Sequence, residues 1–187
     1  MMIENIEKLQ EICMECKKCK LCTGRKNVVF GCGNINADIM FIGEGPGADE
    51  DREGIPFVGK AGKLMNEAFR GLGIDRNEVY IANIVKCRPP NNRDPEEEEA
   101  KACLDYLRNQ VLLVNPKIIV LLGNVALKNI LGVEHGITKD RGKWVLKKGI
   151  LYMPTYHPAA LLRNEEKKID FWNDLQMVKD KLEEIKR

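Results

Sequence analysis

Asp38–Asn66 reads DIMFIGEGPGADEDREGIPFVGKAGKLMN. Asp38–Ile42 is a short apolar run that reads as a buried strand ending at a glycine. The stretch from Gly43 onward organises the rest of the chain. Three glycines alternate with Glu44 and Pro46, an acidic cluster follows (Asp49, Glu50, Asp51), and Pro56-Phe57-Val58-Gly59 leads into a helix start. A loop this rich in Gly and Pro at a strand end lets backbone amides approach a ligand closely, and here it carries a carboxylate, Glu44, to the same place.

Outward from that loop, other apolar runs alternate with helical patterns. Val79–Val85 and Lys117–Leu122 read as further buried strands, and Val28–Phe30 as an edge strand. Lys143–Leu146 and Ile150–Met153 read as two strands around a turn. Helices are expected at Gly59–Gly71, after an Asp94-Pro95 cap, at Asn124–Leu131 and at Asp170–Ile185. This alternation predicts an α/β fold, a three-layer α/β/α sandwich with a mostly parallel central sheet. In such folds ligands sit at the carboxyl ends of strands, where GEGPG, Asn83 and His157 all fall.

The chain is read as one domain, residues 1–187, with an N-terminal helix and a cysteine-rich segment. A net charge of +2 is too small to argue for nucleic acid, although basic residues cluster locally, as at Lys17–Lys26 and Arg163–Lys168. No apolar run reaches the roughly 18 residues of a membrane span, and MMIENIEKLQEI is amphipathic rather than signal-like. A monomer in the cytoplasm is expected, with no membrane partner. Seven cysteines are unusual in that compartment and suggest metal or redox chemistry.

Four of those cysteines, 13, 16, 19 and 22, offer three overlapping C-x2-C pairs, and Cys87 and Cys103 supply two more thiolates. Four thiolates suit tetrahedral zinc or a [4Fe–4S] cluster. The second pair is split across a strand end, a proline-rich loop and a helix, which favours the cluster. Cys32 reads as a small buried hydrophobe. GEGPGA also fits a loose dinucleotide fingerprint, but Pro46 removes an amide and no acidic residue ends the second strand. Phe57, in a Gly/Pro loop, suits stacking on a flat heterocycle. An iron–sulfur electron carrier and a non-catalytic DNA-binding module are the alternatives to an enzyme.

GEGPGADEDREGIPFVGKAG, NIVKCRPPNNRDP and HPAALLR, with C-x2-C before VVFGCGN, resemble the family 4 uracil-DNA glycosylases, the iron–sulfur uracil glycosylases of bacteria and archaea. The resemblance runs from about Cys16 to Arg163 with the segments in the family's order. It implies the uracil-DNA glycosylase fold, a [4Fe–4S] cluster on Cys16, Cys19, Cys87 and Cys103, and hydrolysis of the N-glycosidic bond of deoxyuridine in single- and double-stranded DNA. It also implies roles for the loop residues. Phe57 stacks on a flipped uracil, Asn83 reads its edge, and His157 donates to O2 with help from backbone amides at Gly45 and Gly47. Glu44 orients water, and Glu50 walls the pocket. Arg88 and Arg163 meet phosphate, while Leu161 or Leu162 fills the gap in the base stack. Relative to the family 1 pattern GQDPYH, Gly45 stands at the aspartate position and Gly47 at the tyrosine position.

Overall fold

The computed structural model describes residues 3–187; Met1 and Met2 of the amphipathic opening segment lie outside them. Among the described residues six strands form one sheet: β1 (Cys32–Gly33), β2 (Ile39–Gly43), β3 (Tyr80–Asn83), β4 (Ile118–Leu122), β5 (Val145–Lys147) and β6 (Ile150–Thr155). Their order is β1-β3-β2-β4-β6-β5, parallel through β3-β2-β4-β6 with an antiparallel strand at each edge. Every residue of β2, β3 and β4 is buried, as expected of parallel strands covered on both faces.

Among the described residues eight α-helices accompany the sheet: α1 (Ile6–Met14), α2 (Ala48–Glu53), α3 (Lys60–Leu72), α4 (Glu97–Val114), α5 (Asn124–Ile130), α6 (Ile137–Asp140), α7 (Pro158–Arg163) and α8 (Lys167–Lys186). They cover the sheet in groups. Helix α1 packs on α4, which lies against β3, while α3, α7 and α8 pack together and α8 lies against β4 and β6. Among the described residues no helix is long and apolar enough to cross a membrane.

Several local expectations shift. Val28–Phe30 is buried but is not a strand, because Val29 N bonds the Lys86 carbonyl while the Phe30 carbonyl is taken by the Gln110 side chain; the edge strand forms at Cys32–Gly33 instead. The acidic cluster is not loop but α2. Helix α4 starts two residues later than the Asp94-Pro95 cap: Glu96 N bonds the Glu99 carboxylate at 2.8 Å, and Arg93 grips that carboxylate at 2.7 and 2.9 Å. The β5–β6 hairpin turns at Lys148 and Gly149, both at positive φ (50° and 80°), the signature of a two-residue turn matched to strand twist.

Register sets the site. Gly43 pairs Asn83, so the loop after β2 leaves the sheet beside the end of β3. Leu122 pairs Thr155, which brings Gly123 alongside His157. Gly123 sits at φ +89°, and a Cβ there would come within 3.0 Å of the His157 Cβ.

Candidate active site and cysteine pocket

An open cleft of about 570 Å3 lies across the carboxyl ends of β2, β3, β4 and β6, within the ~300–1,000 Å3 range of small-molecule sites. Glu44, Gly45, Gly47, Glu50, Phe57, Asn83, His157 and Arg163 all line it, so the structure gathers those expected residues into one place.

Glu44 is half-buried. Burial first, then the neighbouring Asp94 carboxyl with which it shares a hydrogen bond, pushes its pKa up to about 7, against a smaller opposing pull from Arg163. Asp94 was legible only as a helix cap. The later start of α4 releases it into the cleft, where it becomes the second carboxyl of the site.

His157 caps α7: its Nδ1 accepts from Ala159 N at 3.0 Å. That bond assigns the proton of the neutral ring to Nε2. Burial, then Arg163, lowers its pKa to about 4, so the ring is a neutral donor across the physiological range. It stacks on Phe57, with centroids 5.4 Å apart and planes at 30°.

Phe57 is 5% exposed and sits at φ 54°, a left-handed conformation that a bulky residue adopts at a cost of roughly 1–3 kcal/mol. The surroundings hold it there. The Glu50 carboxylate accepts from Val58 N (3.1 Å), Gly59 N (2.9 Å) and Gly47 N (3.1 Å), tying the Phe57 turn to the GEGPG loop. Glu50 therefore borders the cleft as a strut, and the Gly47 amide is already engaged. The Gly45 amide meets no protein acceptor among the described residues.

Asn83 is 2% exposed, and its Oδ1 is the one buried side-chain polar atom without a hydrogen-bond partner among the described residues. Such an orphan costs about 1–3 kcal/mol and marks a group awaiting a ligand. Gly43 makes room for it, since a Cβ there would fall 2.6 Å from Asn83 Oδ1 and 2.6 Å from the Phe57 ring. Behind Asn83, the fully buried Lys86 donates Nζ to the Asn83 carbonyl (3.0 Å) and to Gln110 Oε1 (2.6 Å), and burial lowers its pKa to about 8.

The outer residues divide. Arg163 is exposed at the cleft rim without a protein partner among the described residues. Arg88 is outside the cleft lining and bonds Asn92 Oδ1 at 2.8 Å. The two leucines point apart: Leu162 is 48% exposed, whereas Leu161 is 1% exposed in the core. Leu161 as a DNA contact is therefore corrected, because the phase of α7 turns it inward.

A second pocket is lined by Cys13, Cys16, Cys19, Cys22, Cys87 and Cys103, from the end of α1, the turn after it, the chain beyond β3, and α4. All seven cysteines are free thiols, and Cys32, on β1, lies outside this lining. Burial pushes Cys13 up to about 12 and Cys103 up to about 11. Neighbouring thiols, Cys16 among them in each case, add to the upward push on Cys13, Cys87 and Cys103. Sulfurs are met by N–H donors: Arg25 Nη1 reaches Cys87 Sγ at 3.4 Å and Lys86 N reaches Cys103 Sγ at 3.3 Å. Among the described residues no three His, Cys, Asp or Glu side chains converge as a single-ion site. A pocket whose metal-ligating side chains are all thiols, two of them with N–H groups on sulfur, fits the chemistry of an iron–sulfur cluster.

With this mostly parallel sheet and the cleft at its strand ends in place, the family model that matches the chain, over residues 30–176, is that of the Uracil DNA glycosylase superfamily. The chain is 48% identical over 171 residues to a type-4 uracil-DNA glycosylase of Sulfurisphaera tokodaii, covering 87% of this chain and 78% of that protein. It is 47% identical over 173 residues to the type-4 enzyme of Thermotoga maritima (87% and 88% covered), and 40% identical over 186 residues to that of Archaeoglobus fulgidus (92% of each). The chain belongs to the type-4 uracil-DNA glycosylases, hydrolases of N-glycosidic bonds that excise uracil in DNA repair.

Proposed function

We propose that the cleft performs this excision on a deoxyuridine flipped out of single- or double-stranded DNA, with residues 1–187 forming one domain of a cytoplasmic monomer. The observation that carries the reading is the orphaned Asn83 Oδ1 beside the Phe57–His157 stack. Uracil N3–H satisfies that acceptor and the amide NH2 donates to O4, while cytosine presents the reverse pattern. Phe57 supplies the stacking face.

As the N1–C1′ bond breaks, its electrons pass to the uracil ring and charge grows at O2. The neutral His157 Nε2–H and the Gly45 amide donate there, stabilising an oxyanion without prior protonation of the base. The Glu44 carboxylate orients water for attack at C1′ and takes the proton that the water loses. Arg163 and Arg88 hold phosphate, and Leu162 fills the vacated stack. Glu50 and Gly47 act on the base through the loop they brace.

Cys16, Cys19, Cys87 and Cys103 would hold a [4Fe–4S] cluster. Bound there, the cluster supplies a cross-link joining the N-terminal segment to the chain beyond β3 and to α4. It takes no part in the steps above.

The test is a single-uracil oligonucleotide incubated without divalent metal, then cleaved with alkali. Free uracil and an alkali-labile strand are expected. Nicking before alkali, or an absolute magnesium requirement, would overturn the mechanism.

A further inference from the structure

Arg76 lies in a single 3-10 turn, Arg76–Glu78, between α3 and β3, and the reaction does not touch it. Its guanidinium donates Nη2 to the Pro56 carbonyl at 2.6 Å and Nη1 to the Phe57 carbonyl at 2.9 Å and to Asn66 Oδ1 at 2.8 Å. One planar fork thus spans two successive carbonyls of the turn that carries Phe57. Those carbonyls belong to the peptides on either side of a left-handed, non-glycine residue. Such a conformation persists only where its surroundings over-determine it. Two of the restraints are on the amide side, where Glu50 accepts from Val58 N and Gly59 N. Arg76 supplies the carbonyl side. Gly62 of α3 closes the cage, since any Cβ there would overlap the Phe57 carbonyl.

Arg76 also precedes β3 by four residues, and β3 ends at Asn83. The arginine therefore links the turn bearing the stacking ring to the strand bearing the edge reader. We propose that Arg76 is a positioning residue that fixes the Phe57 platform relative to Asn83, so that a base entering the cleft finds its face and its edge held at one separation. The inference rests on the cleft being the uracil site. Without the fork, the Phe57 peptide relaxes to ordinary dihedrals and the ring leaves its place against His157.

The experiment compares wild type, Arg76→Ala, Arg76→Lys, Phe57→Ala and the double variant Arg76→Ala/Phe57→Ala on a single-uracil duplex. For Arg76→Ala, kcat is expected to fall by roughly tenfold to a hundredfold with KM within about twofold, because phosphate contacts are untouched. Free uracil should inhibit it more weakly than wild type. Millimolar guanidinium should restore part of the rate to Arg76→Ala and none to Phe57→Ala. The double variant should be no slower than Phe57→Ala, since Arg76 acts through that ring. Arg76→Lys, whose single ammonium cannot span both carbonyls, should stay slow and carries the same comparison if the alanine variant does not fold. Wild-type rates in both Arg76 variants, or an undiminished Arg76 effect in the Phe57→Ala background, would overturn the proposal. A wild-type enzyme that releases no uracil would instead sink the reading of the cleft, so the two failures are distinguishable.

Discussion

Asn83 borders the cleft and Cys87, four residues on, borders the thiol pocket, yet the two surroundings treat polar groups in opposite ways. In the cleft, Asn83 Oδ1 is left without a partner, Glu44 is held near neutrality, and His157 is kept uncharged. Around the cysteines, by contrast, sulfurs receive N–H donors and the buried Lys86 is bonded on both sides. The first region keeps unmet interactions at its strand ends; in the second, Lys86 and the Cys87 and Cys103 sulfurs are met from within the chain. Substitutions in the cleft should therefore change rate with little change in melting, and those in the pocket should change both together.

The strongest break would come from Cys87→Ser or Cys103→Ser. Each should lose the brown colour, drop iron below about four per chain, and abolish activity as the fold loosens. Cys22→Ser and Cys32→Ser should keep both. Stoichiometric zinc in place of iron in anaerobic preparations would overturn the cluster.

Next in size is Asn83→Asp. Uracil excision should fall by several orders of magnitude with melting unchanged, and weak release of mispaired cytosine should appear. Near-wild-type uracil excision by this folded variant would remove Asn83 as the reader.

Glu44→Gln should lower kcat by about a hundredfold. In wild type the working form of Glu44 is the carboxylate, and its pKa is raised to about 7, so activity should climb as pH passes through about 7. Asp94→Asn removes the neighbouring like charge and should move that rise to lower pH. Protonation of His157 belongs near 4, well below it. A pH–rate profile of the three proteins decides, and an unmoved rise in Asp94→Asn would break the pairing.

Smaller still, Leu162→Ala should slow excision from U:A more than from U:G, by about tenfold, since the wedge matters most where the pair is strongest. Leu161→Ala should instead lower stability by about 2–5 kcal/mol, read by denaturant melting. Equal losses on both pairs would retire the wedge. Arg163→Ala should reduce the slope of log affinity against log salt by about one.

The strands were legible because parallel strands covered on both faces must be apolar throughout, as Ile39–Gly43 and Ile118–Leu122 are. GEGPG, Asn83 and His157 were legible because strand ends are where such a sheet offers loops. Other features left no pattern to read. Helix α2 has six residues and no apolar periodicity, and two of its acids serve main-chain amides, Glu50 at Gly47, Val58 and Gly59 N and Asp51 at Lys26 and Asn27 N. Asp94 looked like a cap until the Arg93–Glu99 pair displaced the helix start. Arg76 bonds chiefly to carbonyls, which every residue possesses, so sequence cannot announce it. Leu161 and Leu162 are the same amino acid, and only the phase of α7 tells them apart.

The link between β3 and the cysteines has a consequence for chain length. Asn83, Ile84, Val85, Lys86 and Cys87 are all at most 7% exposed, and Val85 lies so close to Gly45 that a Cβ there would fall 2.7 Å from its Cγ2. One added residue would break the bonds that Ile84 N and Val85 N make to the Gly43 and Glu44 carbonyls (2.9 and 3.1 Å), bury new backbone polar groups and rotate everything beyond it. Lys148-Gly149 is the opposite case, with open space around Gly149. A tag, fluorophore or fused domain belongs at that hairpin, whereas the run from Asn83 to Cys87 tolerates neither insertion nor deletion.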